Sequence, residues 1–466
     1  MPKILFVGSE LAPLAKVGGL ADVMEGLPRA ISDSGHDVSV IIPKYRHIDI
    51  RRLGAKVVVK DFPVFLAGHH PERINVYQAI SPKCSVRIYL VENKKHLSNG
   101  GIYFNRSAFA SSFNEIQRFL FFSKAVTRLV EENILEADII HCNDWHAGAL
   151  VSLLQNSALS GKNIKIVFTI HNLANQGIWN SKNFSAWFGP NAFKASAGKF
   201  NFMAEGIRNA DMVTTVSESY AKEIVTPRYG DGLQSLLKKR MNESKLKGIL
   251  NGVDYSMWPV PKRNKVGFQK MLKLVPDTRL PIFGLVARLT YQKGIRLIVP
   301  LAREFANRGN AQFVFLGSGE SGNEKALKKL AGDYPRSIYT RIGFDEKLAH
   351  KIYAQSDFFL MPSVFEPSGL GQLISMHYGT VPIVHATGGL RDSVSNSETG
   401  FVFRNEKRKS LQLAIERALT CYEDKKCFKK ISERCRKQDF SWKTAAQKYS
   451  DTYQMLFKKL SSEGQY

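Results

Sequence analysis

The sequence predicts an α/β protein of two doubly wound domains, each a mainly parallel sheet covered by helices on both faces. Three observations predict it. Apolar, β-branched runs alternate with amphipathic stretches along the chain, which is the pattern of strand–helix repeats. The runs fall into two series: residues 3–8, 37–42, 86–91, 137–142, 164–170 and 211–216, then 281–287, 311–317, 337–343, 357–361 and 381–385. The length of 466 residues exceeds the ~250–300 at which a single core stops growing.

The elements follow in order. Ile4-Leu5-Phe6-Val7 reads as a buried strand, and Leu20, Val23, Leu27, Ala30 and Ile31 then recur at helical spacing, with Gly35 as a stop. Further helices are expected at 114–131, 294–307, 323–331 and 347–355, between the strands. Trp258-Pro259-Val260-Pro261 and the polar, basic stretch after it read as a linker. The expected boundaries are therefore 1–259 and 260–440, with a final helical segment, 441–466. No apolar run approaches the ~20 residues of a membrane span, and the first residues lack the long apolar core of a signal peptide. A cytoplasmic protein with no membrane partner is expected.

The net charge of +25 implies attraction to something acidic. The basic residues are dispersed, however, and no RNP-like aromatic motif or zinc-finger spacing is present, so nucleic acid is not the expected partner. The five cysteines are odd in number and lack a CxxC, so reduced thiols are expected rather than a disulfide framework.

In open α/β sheets, ligands bind beyond the carboxyl ends of the strands. The chemically notable residues gather there. Lys16-Val17-Gly18-Gly19 follows the first strand and opens a helix, so its backbone N–H groups could meet an anion; the same pattern also occurs in ordinary turns. Arg288 and Lys293, ending in Gly294, follow the run 281–287; two cations at a helix start could neutralise a diphosphate, or simply be a solvated cap. Phe365-Glu366-Pro367-Ser368-Gly369-Leu370-Gly371 puts a carboxylate at a strand end. It could hold sugar hydroxyls or offset positive charge at an anomeric carbon, or only cap the helix.

Three further motifs have alternative readings. His171-Asn172 ends the run 164–170 and reads either as a site residue or as a packed histidine. His141, Asp144 and His146 match no standard metal-ligand spacing, so no metal is expected. Gly317-Ser318-Gly319-Glu320-Ser321-Gly322 fits the dinucleotide fingerprint, but the acidic residue expected ~20 positions on is missing, which leaves a tight strand–helix turn. No P-loop, G-x-S-x-G or H-E-x-x-H motif is present.

Taken together, the motifs at 16–23, 141–148, 171–172, 248–254, 288–294, 366–370, 378–382 and 388–390 resemble, in this order, those of the bacterial glycogen synthase and plant starch synthase family. The resemblance covers nearly the whole chain. It implies a GT-B fold: two Rossmann-like domains facing a deep inter-domain cleft, with the last helix crossing back to the first domain. It implies transfer of glucose from ADP-glucose to the non-reducing end of an α-1,4-glucan such as glycogen, with retention and without a cofactor or metal. By match, Lys16 contacts the donor phosphate and glucose, with Gly18, Gly19, Asp22, Asp144 and Asn172 bordering the site. His171 contacts the transferred glucose, Arg288 and Lys293 hold the diphosphate, and Glu366 binds that glucose and supports the transition state. Ser368, Gly369 and Leu370 belong to the same donor motif, Phe344 takes the place of a ring on the adenine, and Gly388 and Gly389 supply backbone N–H groups. Lys16, His171 and Glu366 are thus the catalytic expectation.

Departures from the family fall on donor contacts. Ser368 stands where Cys is usual, Gly371 where Thr is, His385 where Arg is, and Phe344 where Tyr often is. The segment 91–112 follows the family poorly. Alternatives are a related UDP-glucose-dependent transferase, a catalytically weak glucan-binding scaffold, and a nicotinamide-dependent oxidoreductase built on residues 317–322.

Overall fold

A computed structural model describes residues 1–66, 70–82, 84–103, 113–157, 159, 163–180, 182 and 198–463. The part of the segment 91–112 beyond residue 103 therefore lies outside the described residues. The chain divides into two compact units. The first gathers 1–216, 221–252 and the stretch from Trp442 on, and the second gathers 217–220 and 253–441.

The strands of the first unit are β1 (Lys3–Val7), β2 (Asp37–Pro43), β3 (Lys56–Val64), β4 (Glu72–Ile80), β5 (Arg87–Glu92), β6 (Ile139–Asn143), β7 (Lys165–Ile170), β8 (Ile178–Asn180), β9 (Lys199–Asn201), β10 (Met212–Thr215) and β11 (Leu246–Gly248). Nine form one sheet in the order β11-β10-β7-β6-β1-β2-β5-β4-β3, while β8 and β9 pair alone. Apart from the antiparallel β3–β4–β5 edge, the pairing is parallel. Winding starts at β1, runs outward through β2 and β5, then restarts on the other side at β6. The reversal between β1 and β6 is the topological switch point of a doubly wound sheet, where ligands bind.

The helix Gly19–Asp33 buries Leu20, Val23, Leu27 and Ile31 of the residues read at helical spacing, leaves Ala30 half-buried and adds Met24, and its chain turns off at Ser34 and Gly35. The last helix, Trp442–Glu463, lies on it. Trp442, Ala445, Ala446, Tyr449 and Tyr453 share one core with Phe6, Leu27 and Ile139. The close approach depends on Gly26, where an added Cβ would fall 2.0 Å from Trp442 Nε1.

The second unit holds β12 (Ile282–Val286), β13 (Gln312–Gly317), β14 (Ile338–Ile342), β15 (Phe358–Met361), β16 (Val381–His385) and β17 (Phe401–Phe403). Its sheet runs β14-β13-β12-β15-β16-β17, all parallel, so its switch point lies between β12 and β15. β12, β13, β15 and β16 are buried on both faces and read as apolar runs. Phe283 stacks between Phe313 and Phe358 at centroid distances of 5.2 and 5.0 Å.

The α/β, two-domain expectation therefore holds. The expectation of reduced thiols fails at one pair: Cys421 and Cys427 form a disulfide with Cα atoms 5.4 Å apart. The turn between helices Arg408–Glu423 and Lys425–Arg436 brings them side by side, a local link that spacing rules for frameworks do not catch. Cys84, Cys142 and Cys435 are free. Among the described residues no helix is long and apolar enough to cross a membrane.

Candidate functional site

In each unit most of the singled-out residues lie at the carboxyl ends of strands at or beside the switch point. In the first unit, the loop after β1 folds around Glu10. This carboxylate accepts the N–H groups of Val17 and Gly18, both at 2.8 Å, and the Tyr103 hydroxyl donates to it at 2.7 Å. The N–H groups expected to meet an external anion are thus held by the chain's own carboxylate, and they order the loop. Lys16 stays half exposed and pairs with Asp22, one turn into the helix, at 2.6 Å. Gly19 has open space around it.

β6 ends at Asn143 and the loop after it begins with Asp144, both buried. Asp144 adopts a positive φ of 56°. Its carboxylate accepts the backbone N–H of His171 at 2.7 Å and that of Asn172 at 3.4 Å. Burial pushes the Asp144 carboxyl up to about 7, against the pull of those two bonds. His171 Nε2 lies 2.9 Å from Asn143 Oδ1, and burial lowers the imidazole to about 3, so the ring is neutral. His141 and His146 do other work. His141 bridges Tyr453 at 2.7 Å and Thr169 at 2.5 Å, and His146 packs among Trp145, Phe119 and Tyr103.

In the second unit, the loop after β12 carries Arg288, which is exposed, and Lys293. Gly294 follows at φ 67°, and an added Cβ would lie 2.1 Å from the Pro362 carbonyl. This close approach sets the β12 loop against the β15 loop. Lys293 Nζ thereby reaches Glu366 Oε2 at 2.5 Å, and Ser363 Oγ donates to the same oxygen at 2.8 Å. Glu366 is buried. Gly388, at φ 44°, lies so close to Glu366 that a Cβ would fall 2.0 Å from its carbonyl oxygen. The Gly389 N–H donates to that carbonyl at 3.1 Å, so as the loops stand it binds the chain rather than facing outward. Ser368 is buried and its Oγ has no partner among the described residues, which leaves a desolvated hydroxyl on the loop that carries Glu366.

The remaining positions are spread more widely. Phe344, just beyond β14, is 89% exposed. Gly369 has φ 70°, and Leu370 is partly buried against the unit's core. At Gly371 a Cβ would meet Phe359 at 2.9 Å and Met361 at 3.2 Å, so the space a threonine would need is filled. His385 sits between the carbonyls of Ser363 at 2.8 Å and Arg404 at 3.3 Å. The glycine-rich turn at 317–322 packs on the β12 loop. A Cβ on Gly317 would strike the Ala287 carbonyl at 1.9 Å, and the Gly319 N–H is held by Glu324 at 2.8 Å, as suits a tight turn.

Sequence reasoning gave no role to Glu10, Asn143 and Ser363. Asn143 lies inside a motif that was read and the other two within six residues of one, but a lone carboxylate, amide or hydroxyl has no signature until the fold shows what it grips.

Two family descriptions match the chain: "Starch synthase catalytic domain" over residues 3–239 and "Glycosyl transferases group 1" over 269–437. The glycogen synthase of Geotalea uraniireducens is 36% identical over 97% of this chain and 98% of its own. That of Clostridium perfringens is 38% identical over 98% of both. Among solved structures, the catalytic domain of starch synthase IV from Arabidopsis thaliana, bound to ADP and acarbose, superposes with a TM-score of 0.85 at 29% identity, covering 98% of this chain and 99% of that one. A sucrose-phosphate synthase from Thermosynechococcus elongatus, at TM-score 0.63 and 19% identity, shares the fold.

Proposed function

The chain belongs to the glycogen and starch synthase family of GT-B-like glycosyltransferases, and from that premise we propose that it transfers glucose from ADP-glucose to the non-reducing end of an α-1,4-glucan, with retention and without a metal. The observation that carries the reading is the grouping at the second unit's switch point: Lys293, Glu366 and Ser363 joined in one network, with Arg288 on the same loop as Lys293. The related starch synthase IV was solved with ADP, which favours an adenine nucleotide.

Arg288 and Lys293 neutralise the diphosphate as it leaves. Glu366 binds the glucose and offsets positive charge growing at its anomeric carbon. Ser368 Oγ supplies a hydroxyl that a ligand can satisfy. In the first unit, Lys16, Gly18, Gly19 and Asp22 border the donor, and Asp144, His171 and Asn172 form the edge against the glucose. The bond from C1 to the diphosphate oxygen breaks, and a bond from C1 to the acceptor's 4-hydroxyl oxygen forms on the same face. The acceptor proton passes to the departing phosphate, and ADP leaves. A front-face route suits a site rich in cations, where Glu366 binds rather than attacks; double displacement would need a carboxylate within bonding reach of C1. The reaction is assigned to the cytoplasm.

The test is incorporation of radiolabelled glucose into glycogen from ADP-glucose and UDP-glucose in parallel, with Lys16→Ala as control. Incorporation from ADP-glucose that disappears in the variant is expected. Incorporation mainly from UDP-glucose would overturn the donor, and none from either by a folded, glycogen-binding protein would overturn the activity.

A further inference from the structure

Asn143 ends β6 and is almost wholly buried, and its amide has only one workable orientation. Nδ2 lies 3.2 Å from the Val7 carbonyl and 3.1 Å from the His141 carbonyl. Carbonyls only accept, so a flipped amide would set its oxygen against two other oxygens. Oδ1 must therefore take the opposite side, where it meets His171 Nε2 at 2.9 Å. An amide oxygen also only accepts, so Nε2 carries the ring proton. A neutral ring protonated at Nε2 offers a lone pair at Nδ1. The next residue, Asp144, holds the main-chain N–H of His171 at 2.7 Å. Two consecutive residues, the last of β6 and the first of its loop, thus grip the histidine at ring and backbone.

We infer that Asn143 is a positioning residue that locks His171 as the Nε2–H tautomer, so that the ring meets substrate as an acceptor for a sugar hydroxyl and never as a proton donor. This deepens the proposed function and rests on it for the identity of the substrate; the tautomer does not. The consequence is selectivity. A sugar must present an O–H to Nδ1, and an analogue with hydrogen or fluorine there leaves the lone pair unmatched. Replacing Asn143 by an apolar residue frees the ring to take either tautomer, and one of them turns a donor toward the hydroxyl.

The experiment is nitrogen NMR of histidine-labelled full-length protein, with the His171 ring identified by its loss in His171→Gln, alongside donor kinetics. The wild-type ring is expected to show a protonated Nε2 and a bare Nδ1. In Asn143→Leu the ring should move toward a mixture of tautomers, and kcat/KM should fall by about tenfold, the scale of one mismatched hydrogen bond. A wild-type ring protonated at Nδ1 would overturn the inference, whatever the variant does, and so would an unchanged ring or unchanged kcat/KM in Asn143→Leu. If wild-type protein transfers glucose from no donor, the proposed function fails, and the ring spectrum still decides the tautomer.

Discussion

Glu366 shows how much a single carboxylate depends on its neighbours. Lys293 and Ser363 meet at one of its oxygens, and in the proposed function the other is left to the donor glucose. Glu366→Gln keeps the shape and removes the charge. Its kcat should fall roughly 100-fold, the scale seen when a group aimed at developing charge is lost. Near wild-type turnover of the purified variant would remove the charge from the mechanism.

Three histidines of the first unit make a second case. His141, His146 and His171 are each lowered to about 3 by burial, whereas an unfolded histidine titrates near ~6.5. Their stabilisation is present above that value and lost as pH falls toward the folded one. Asp144, raised from 3.8 to about 7, works the other way: its contribution is present below 3.8 and lost as pH rises through 7. Between about pH 4.5 and 6 these three histidines, with His36 and His96 lowered in the same direction, outweigh Asp144 and Asp231, so unfolding should take up protons and stability should rise with pH. Urea midpoints measured across that window check the sign; a flat or falling profile would contradict it.

At the scale of elements, the parallel strands were the legible part. Runs such as 281–287 and 357–361 are continuous and apolar because both faces are covered, and β12 and β15 lie within them. The hairpin strands β3 and β4 escaped notice. β3 is an edge strand with mostly exposed or half-buried residues, and Lys60, Asp61 and Pro63 interrupt its alternation, which is how an edge is kept from pairing further. The Arg288, Lys293 and Glu366 motifs were readable because each sits at a strand end. Which of them touch was not, because Gly294's approach to Pro362 brings Lys293 to Glu366 and no local pattern encodes it. Helix on helix, Gly26→Val should push Trp442 out of the first unit's core. We expect a loss of about 3 kcal/mol, near the upper end for overpacking, and a red-shifted tryptophan emission. Unchanged stability would mean that the last helix shifts at little cost.

For the whole molecule, the net charge of +25 is the quantity the site does not use up. The proposed donor is anionic, so a diffuse positive potential should hold it near the protein and weaken as salt screens it. KM for ADP-glucose should rise severalfold between about 20 and 200 mM salt while kcat moves little, since the Debye length shrinks from about 20 Å to about 7 Å over that range. A KM indifferent to salt would confine the charge effect to Arg288 and Lys293.

The helix Trp442–Glu463 belongs to the core of the unit that also contains the first strand. A ribosome delivers the chain from the other end. While the second unit is being synthesised, the first lacks Trp442, Tyr449 and Tyr453, and His141 lacks the hydroxyl that satisfies its ring. The first unit therefore starts to emerge before the second and is completed only after it. It leaves an apolar groove along Gly19–Asp33 open for most of translation, and a chaperone would have reason to cover it until the final helix arrives.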